Sequence, residues 1–200
     1  LATPRVDAEP APVTPLEPKP TPAFTIHRLQ ADEALAVSRC FYASYGYSYV
    51  YDFVYYPDRL AALNASDELI SAVAVTPDGE VLGHAALIPA GAEARTGELS
   101  MIATPPHYRG GGVGRQLSAW LLDWAARQGW HGVNVNAVPS HPFTQHIGVR
   151  LNFRPCGLLL GLAPASLSFH GIADQLRQRE SCVLAYHALQ PPSARALYPP

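Results

Sequence analysis

Lysine is almost missing from this chain. Of 200 residues only Lys19 carries an ε-ammonium, and no run of basic residues occurs anywhere. With a formal net charge of -2, the chain lacks the electrostatic footprint on which nucleic-acid binding depends, so no DNA or RNA partner is expected. Long apolar stretches are also lacking. None approaches the roughly 20 residues needed to cross a bilayer, and the N-terminus has no basic-then-apolar signal pattern; no membrane partner and a cytoplasmic location are expected. Cysteine is sparse: Cys40, Cys156 and Cys182 are too scattered for a disulfide framework, none stands in a Cys-x-x-Cys pair, and they read as buried reduced thiols. Histidines are spread through the chain except for His141 and His146, whose five-residue step does not place two side chains on one helical face, so no metal site is expected.

What is present fits one globular domain between two linkers. Residues 1–22 hold seven prolines with almost no aromatic or large aliphatic content, and cannot bury a core; they read as an extended, semi-rigid linker. Residues 191–200 are proline-rich again and read as a tail or second linker, leaving residues 23–190 as the domain. The chain starts with Leu1, and the linkers at both ends suggest a module joined to further domains of a longer protein.

Between the linkers, strand and helix signals alternate. Residues 23–30 alternate with period two, and residues 32–45 read as a helix opened by Asp32 and Glu33. A short helix at 57–64 and strands at 69–76 and 81–88 follow, the strands joined at Pro77-Asp78-Gly79, whose residue types favour a tight turn. A third strand, 97–104, extends the meander. The clearest helix begins near Gly112, with Val113, Leu117, Trp120, Leu121 and Trp124 on one apolar face and Gly129 suited to its C-cap. A strand at 131–138, a helix at about 142–151 and strands at about 154–162 and 180–188 complete a mixed α/β (α+β) order.

The most informative segment is Arg109-Gly110-Gly111-Gly112-Val113-Gly114, between a strand and that helix. Without Cβ atoms, successive backbone N–H groups can point into one concavity, and the helix N-terminus adds partial positive charge, so the turn suits a phosphate or pyrophosphate. A P-loop is excluded because no lysine follows, and a dinucleotide fingerprint fails because Arg115 and Leu117 stand where its third glycine is needed.

Arginine, two residues, glycine, one residue, glycine or alanine is the pyrophosphate signature of the GNAT acetyltransferases, and Arg109, Gly112 and Gly114 resemble it, led in by Pro106-His107-Tyr108. The resemblance implies the GNAT fold: a twisted, mixed sheet of six to seven strands with helices on both faces, whose fourth and fifth strands splay to admit the pantetheine arm of acetyl-CoA. It implies acetyl-CoA as co-substrate, held at Arg109, Gly110, Gly111, Gly112, Val113 and Gly114 and by backbone N–H groups of Ile102, Ala103 and Thr104. It also implies that the stretch between the first two helices lines an acceptor pocket; Tyr45, Tyr47, Tyr49 and Tyr55 are the tyrosines singled out there, since a phenol combines an apolar face with an orienting hydroxyl.

The family pattern is broken where an acid is needed. Counting five residues back from Phe153, where many relatives place a proton-donating tyrosine, reaches Gly148, and Asn152 replaces the glycine expected before Phe153. Twelve residues back stands His141, which can hold a proton near neutral pH and is the candidate general acid. Glu98, in the fourth strand, is the candidate base. The resemblance implies an N-acetyltransferase acting on a primary amine of a small molecule or protein; the alternative is a non-catalytic acetyl-CoA-binding regulatory domain.

Overall fold

The computed structural model describes residues 20–139, 142–169, 176 and 178–191. Seven strands form one sheet: β1 (Thr25–Arg28), β2 (Ile70–Val75), β3 (Val81–Pro89), β4 (Thr96–Ala103), β5 (Gly132–Ala137), β6 (Arg154–Ala163) and β7 (Glu180–Ala188). Their spatial order is β1-β2-β3-β4-β5-β7-β6, antiparallel throughout except for the parallel pair β4 and β5. The helices are α1 (Ala34–Tyr45), α2 (Pro57–Ala65), α3 (Val113–Arg127) and α4 (Phe143–Arg150). The expected mixed α/β sheet is thus present. The first helix starts as a separate 3-10 turn at Ala31–Glu33, and β7 inserts between β5 and β6, leaving β6 at the sheet edge.

Each face of the sheet carries a core. On one face α3 buries Val113, Leu117, Leu121 and Ala125, four residues apart, against Ala72, Leu82, Ala85 and Leu99. Truncating a buried leucine such as Leu121 to alanine in such a core costs about 2–5 kcal/mol. Trp120 and Trp124 flank this contact half-buried, and the Arg28 guanidinium lies 5.7 Å above the Trp124 ring. The helix closes at Gln128, and Gly129 follows with φ +73°, the left-handed position just past a helix end that favours glycine. On the other face α1 and α2 bury Val37, Phe41 and Leu60 against Val73, Ala86 and Met101.

An irregularity in β4 prepares the site. His84 pairs with Ala103 and Ala86 with Ser100, so Met101 and Ile102 on β4 face the single residue Ala85 on β3. Met101 has φ +56°, a left-handed conformation that a non-glycine residue adopts at a cost of about 1–3 kcal/mol. The extra residue reverses the strand's facing. Leu99 packs with the α3 core, Met101 with the α1 core, and Ile102 again with the α3 core, so the side chains after the bulge are out of step with those before it.

Candidate active site

The parallel pairing of β4 with β5 lasts three rungs, Thr96 with Gly132, Gly97 with Val133 and Glu98 with Asn134, and then stops. Beyond Glu98 the strands part, and a cleft of about 650 Å³ opens between them. It is walled by Glu98 to Ile102 and Thr104 on one side, and by Val135, Asn136, Val138 and α4 on the other.

One end of the cleft is the glycine turn. Gly110 and Gly112 have φ +89° and +78°, conformations that any side chain would strain, and Gly112 caps α3 without a side chain of its own. Gly110, Gly112, Val113, Gly114 and Arg115 all line the cleft, facing Thr144, His146, Ile147 and Arg150 of α4. Gly114 sits where β4 and α4 close in: a Cβ there would meet Ile102 at 3.2 Å and Ile147 at 3.5 Å. Arg109 turns inward, its Nε donating to the Thr104 carbonyl at 3.0 Å, and brings positive charge into the cleft near Tyr45 and Cys40. A cationic side chain, two left-handed glycines and the start of a 15-residue helix fit the pyrophosphate of CoA, and the unzipped edges of β4 and β5 fit its pantetheine arm.

The other end is aromatic. Tyr45 at the end of α1 and Tyr49 and Tyr51 just after it line it, and Leu167 and Phe169 close it from the segment following β6. The Tyr45 hydroxyl donates to the Ile102 carbonyl at 3.0 Å, so the phenol is tied to β4 at the bulge. Burial pushes the Tyr45 and Tyr49 phenols above their ordinary range, the Arg109 charge opposing the rise at Tyr45; both keep their protons at neutral pH. Burial likewise raises the Glu98 carboxyl, against hydrogen bonds from Ser100 and Asn136 that favour its ionised form.

The sequence-derived residues divide accordingly. Glu98, Ile102, Thr104, Arg109, Gly110, Gly112, Val113, Gly114, Tyr45 and Tyr49 line one cleft. The Ala103 side chain is buried on the α1 face instead, and Gly111 lies beside the cleft under Thr21, whose side chain occupies the space a Cβ at Gly111 would need. The last residues of the proline-rich stretch therefore reach the glycine turn. Tyr47 is 80% exposed and borders a separate hollow with Ser48 and Pro164. Tyr55 stands behind the cleft wall, its hydroxyl accepting the Tyr49 N–H at 3.1 Å. His141 lies outside the described residues.

Gly148 is buried against Phe153, which gives this position of α4 no proton-donating side chain. Of the α4 residues that line the cleft, the sequence marks only His146, as an alternative proton donor; Phe143, Thr144, Ile147 and Arg150, together with Asn136 and Cys182, are not marked as site residues by the sequence. Position in the helix following β5 was the available signal for α4; nothing local marks Asn136 or Cys182. All three cysteines are free thiols; Cys156 is exposed rather than buried as expected, while burial holds Cys40 up at about 12 and raises Cys182, so neither of these two is a ready nucleophile. Among the described residues no group of histidines, cysteines and carboxylates is placed to hold a metal ion, and no helix is long and apolar enough to cross a membrane.

Known structures share this architecture. The chain superposes on yncA from Salmonella typhimurium, solved with its cofactor acetyl-CoA, with a TM-score of 0.68 at 16% identity, covering 87% of this chain and 98% of that one. It superposes on the ribosomal-protein-S18-alanine N-acetyltransferase from Escherichia coli with a TM-score of 0.64 at 15% identity, covering 88% and 100%. For mutant forms of the spermidine/spermine N-acetyltransferase SpeG from Vibrio cholerae the TM-score is 0.65 at 16% identity, covering 83% and 94%. No curated protein sequence matches the chain significantly. At these identities the superpositions establish the fold. Residues 34–148, however, match the acetyltransferase (GNAT) family by sequence, a span that includes the glycine turn, both splayed strands and most of α4. This chain therefore belongs to the GNAT acetyltransferase family, acyltransferases that take acetyl-CoA as co-substrate.

Proposed function

We propose that residues 23–190 form the catalytic unit of an N-acetyltransferase that moves the acetyl group of acetyl-CoA to a primary amine of a small molecule or protein. The observation that carries this reading is the parting of β4 and β5 beyond Glu98, which joins the glycine turn to a carboxylate through one continuous cleft. The amine nitrogen attacks the thioester carbonyl carbon, its proton passes to Glu98, and the C–S bond breaks as the thiolate takes a proton from an acid. Backbone N–H groups of 102–104, beside the bulge, are assigned to the developing oxyanion. His141 is assigned as the acid, on the grounds that Val138 and Phe143 on either side of it line the cleft. Tyr45 and Tyr49 orient the acceptor. We assign the cytoplasm as its compartment, which suits a chain whose cysteines are free thiols.

A second reading, a non-catalytic acetyl-CoA-binding regulatory domain, is favoured by one observation, the absence of a proton-donating side chain at Gly148. Incubation with acetyl-CoA and a broad amine panel, with release of the CoA thiol as readout, separates the two. Thiol release that depends on an amine supports transfer. Tight acetyl-CoA binding with no release from any amine rejects it in favour of the regulatory reading.

A further inference from the structure

Resting on the acetyl-transfer reading, we infer that the acceptor is a monoamine carried on an apolar, ring-sized body, whose ammonium group is received between the Glu98 carboxylate and the Asn136 side-chain oxygen.

Asn136 is the unusual member of this site. Its side-chain amide lies beside the Glu98 carboxylate and favours its ionised form, as an N–H donor does. A carboxylate accepts, so the amide donates its NH2 to it, which leaves Oδ1 as the free end. That oxygen is buried and has no hydrogen-bond partner among the described residues. A buried acceptor left in this state costs about 1–3 kcal/mol, a penalty that a donor arriving in the cleft removes. Both Asn136 and Glu98 line the cleft, on the two strands that have just parted, so a group entering the gap meets a charged acceptor from β4 and a neutral one from β5. An ammonium, with several N–H donors on one atom, satisfies both together; once its first proton has passed by way of Glu98 to solvent, which restores the carboxylate for the transfer step, the amine nitrogen still has N–H groups to offer Asn136 Oδ1.

The walls around this pair set the rest of the acceptor. They are formed by Tyr49, Tyr51, Leu162, Leu167, Phe169 and Cys182, none of which is charged at neutral pH. Glu98 is the only carboxylate among the described residues lining the cleft. A single cationic head fits. A second or third ammonium, as in a polyamine, would be drawn from water against an apolar, aromatic wall that offers it no second carboxylate among the described lining residues, and transfer of an unpaired cation into such surroundings is strongly unfavourable. A flat or branched apolar body instead gains by burial and ring contact. The amine can come from a free small molecule or from the N-terminus of a peptide that begins with an aromatic residue; the chemistry at Glu98 and Asn136 is the same for both.

The test is a calorimetric titration of the full chain, saturated with CoA so that no transfer occurs, with three probes: phenethylamine, a short peptide beginning with phenylalanine, and spermidine. At least one aromatic monoamine should bind about tenfold or more tightly than spermidine, and which of the two binds better identifies its source. In Asn136→Ala, and in the milder Asn136→Ser should the first fold poorly, binding of that monoamine should weaken by about tenfold while acetyl-CoA affinity is unchanged. Spermidine binding as tightly as the monoamines, no binding of any monoamine, or folded Asn136 variants with unaltered amine affinity would overturn the inference. If the monoamine binds through Asn136 yet no amine is ever acetylated, the transfer reading fails and the recognition inference stands.

Discussion

The His84 ring donates from Nδ1 to the Met101 carbonyl at 2.9 Å, and so is tied to the residue whose backbone makes the β4 bulge. A carbonyl can only accept, which fixes the proton on Nδ1 and leaves Nε2 to accept from the Ser71 hydroxyl at 2.8 Å. Asn64 in turn donates to the Ser71 oxygen at 3.1 Å and accepts the Ser71 N–H at 2.8 Å. This chain of buried groups carries α2 and β2 through to the strand beside the cleft. Burial keeps the ring neutral, lowering His84 from 6.5 to about 4 against the Met101 hydrogen bond, which favours the charged form.

Stability should therefore fall in mild acid. The unfolded chain binds a proton at His84 near pH 6.5 whereas the folded protein resists until about 4, so stability present in full above 6.5 is lost as pH drops through that window. Linkage makes the loss about 3 kcal/mol at its fullest. Melting temperatures measured between pH 7 and 4.5 should show the decline, and His84→Asn should be less stable at pH 7 but flatter with pH. An equally steep profile in the variant would assign the acid sensitivity elsewhere.

Glu98→Gln should lower kcat by about a hundredfold or more while leaving acetyl-CoA affinity intact, because general-base catalysis contributes on that scale. The rate of the unaltered protein should rise with pH through a limb lying above the ordinary carboxylate range, in keeping with the direction in which burial moves Glu98. Loss of that limb in the variant is the decisive reading; a limb that persists would place the base at another group.

Gly112→Val should abolish CoA binding in calorimetry. At φ +78° any side chain strains the turn, and the N–H groups at the head of α3 are re-aimed. Undiminished affinity in a folded variant would remove the glycine turn from the pyrophosphate site.

For the proton donor, His141→Ala should reduce turnover by about a hundredfold without weakening acetyl-CoA binding. If turnover barely changes, the acid is another group, such as Ser140, His146 or a cleft tyrosine, or the thiolate leaves to solvent unaided; Tyr49→Phe, whose phenol burial keeps protonated, is the next substitution to measure.

What the sequence made legible was local. Strand β2 was expected at 69–76 and spans Ile70–Val75, and the helix placed after Gly112 runs Val113–Arg127, because period-two and period-3.6 patterns and a run of glycines are signals carried by neighbouring residues. Which tyrosines face the cleft was not legible. Tyr45 and Tyr49 do, while Tyr47 and Tyr55 do not, since the chain after α1 follows no repeating pattern and its direction is set by Leu167 and Phe169, more than a hundred residues on. The bulge escaped for another reason: Met101 has no residue-type signature for left-handed backbone, and tertiary bonds such as that from His84 hold it there. Asn136 was equally silent, its unpaired oxygen being visible only once β5 is set against β4.

The short parallel pairing at Thr96, Gly97 and Glu98 makes the sheet a book with a narrow spine, four strands bound as one cover and three as the other. Near that spine the covers have little play, but farther out they are joined by few backbone bonds, and their separation there can respond to what lies between the pages. A molecule seated in the gap touches both covers at once and acts as a splint. Amide exchange on the outer ends of β4 and β5 should slow together when CoA binds, even at residues it does not touch, because each cover then loses its freedom to hinge against the other.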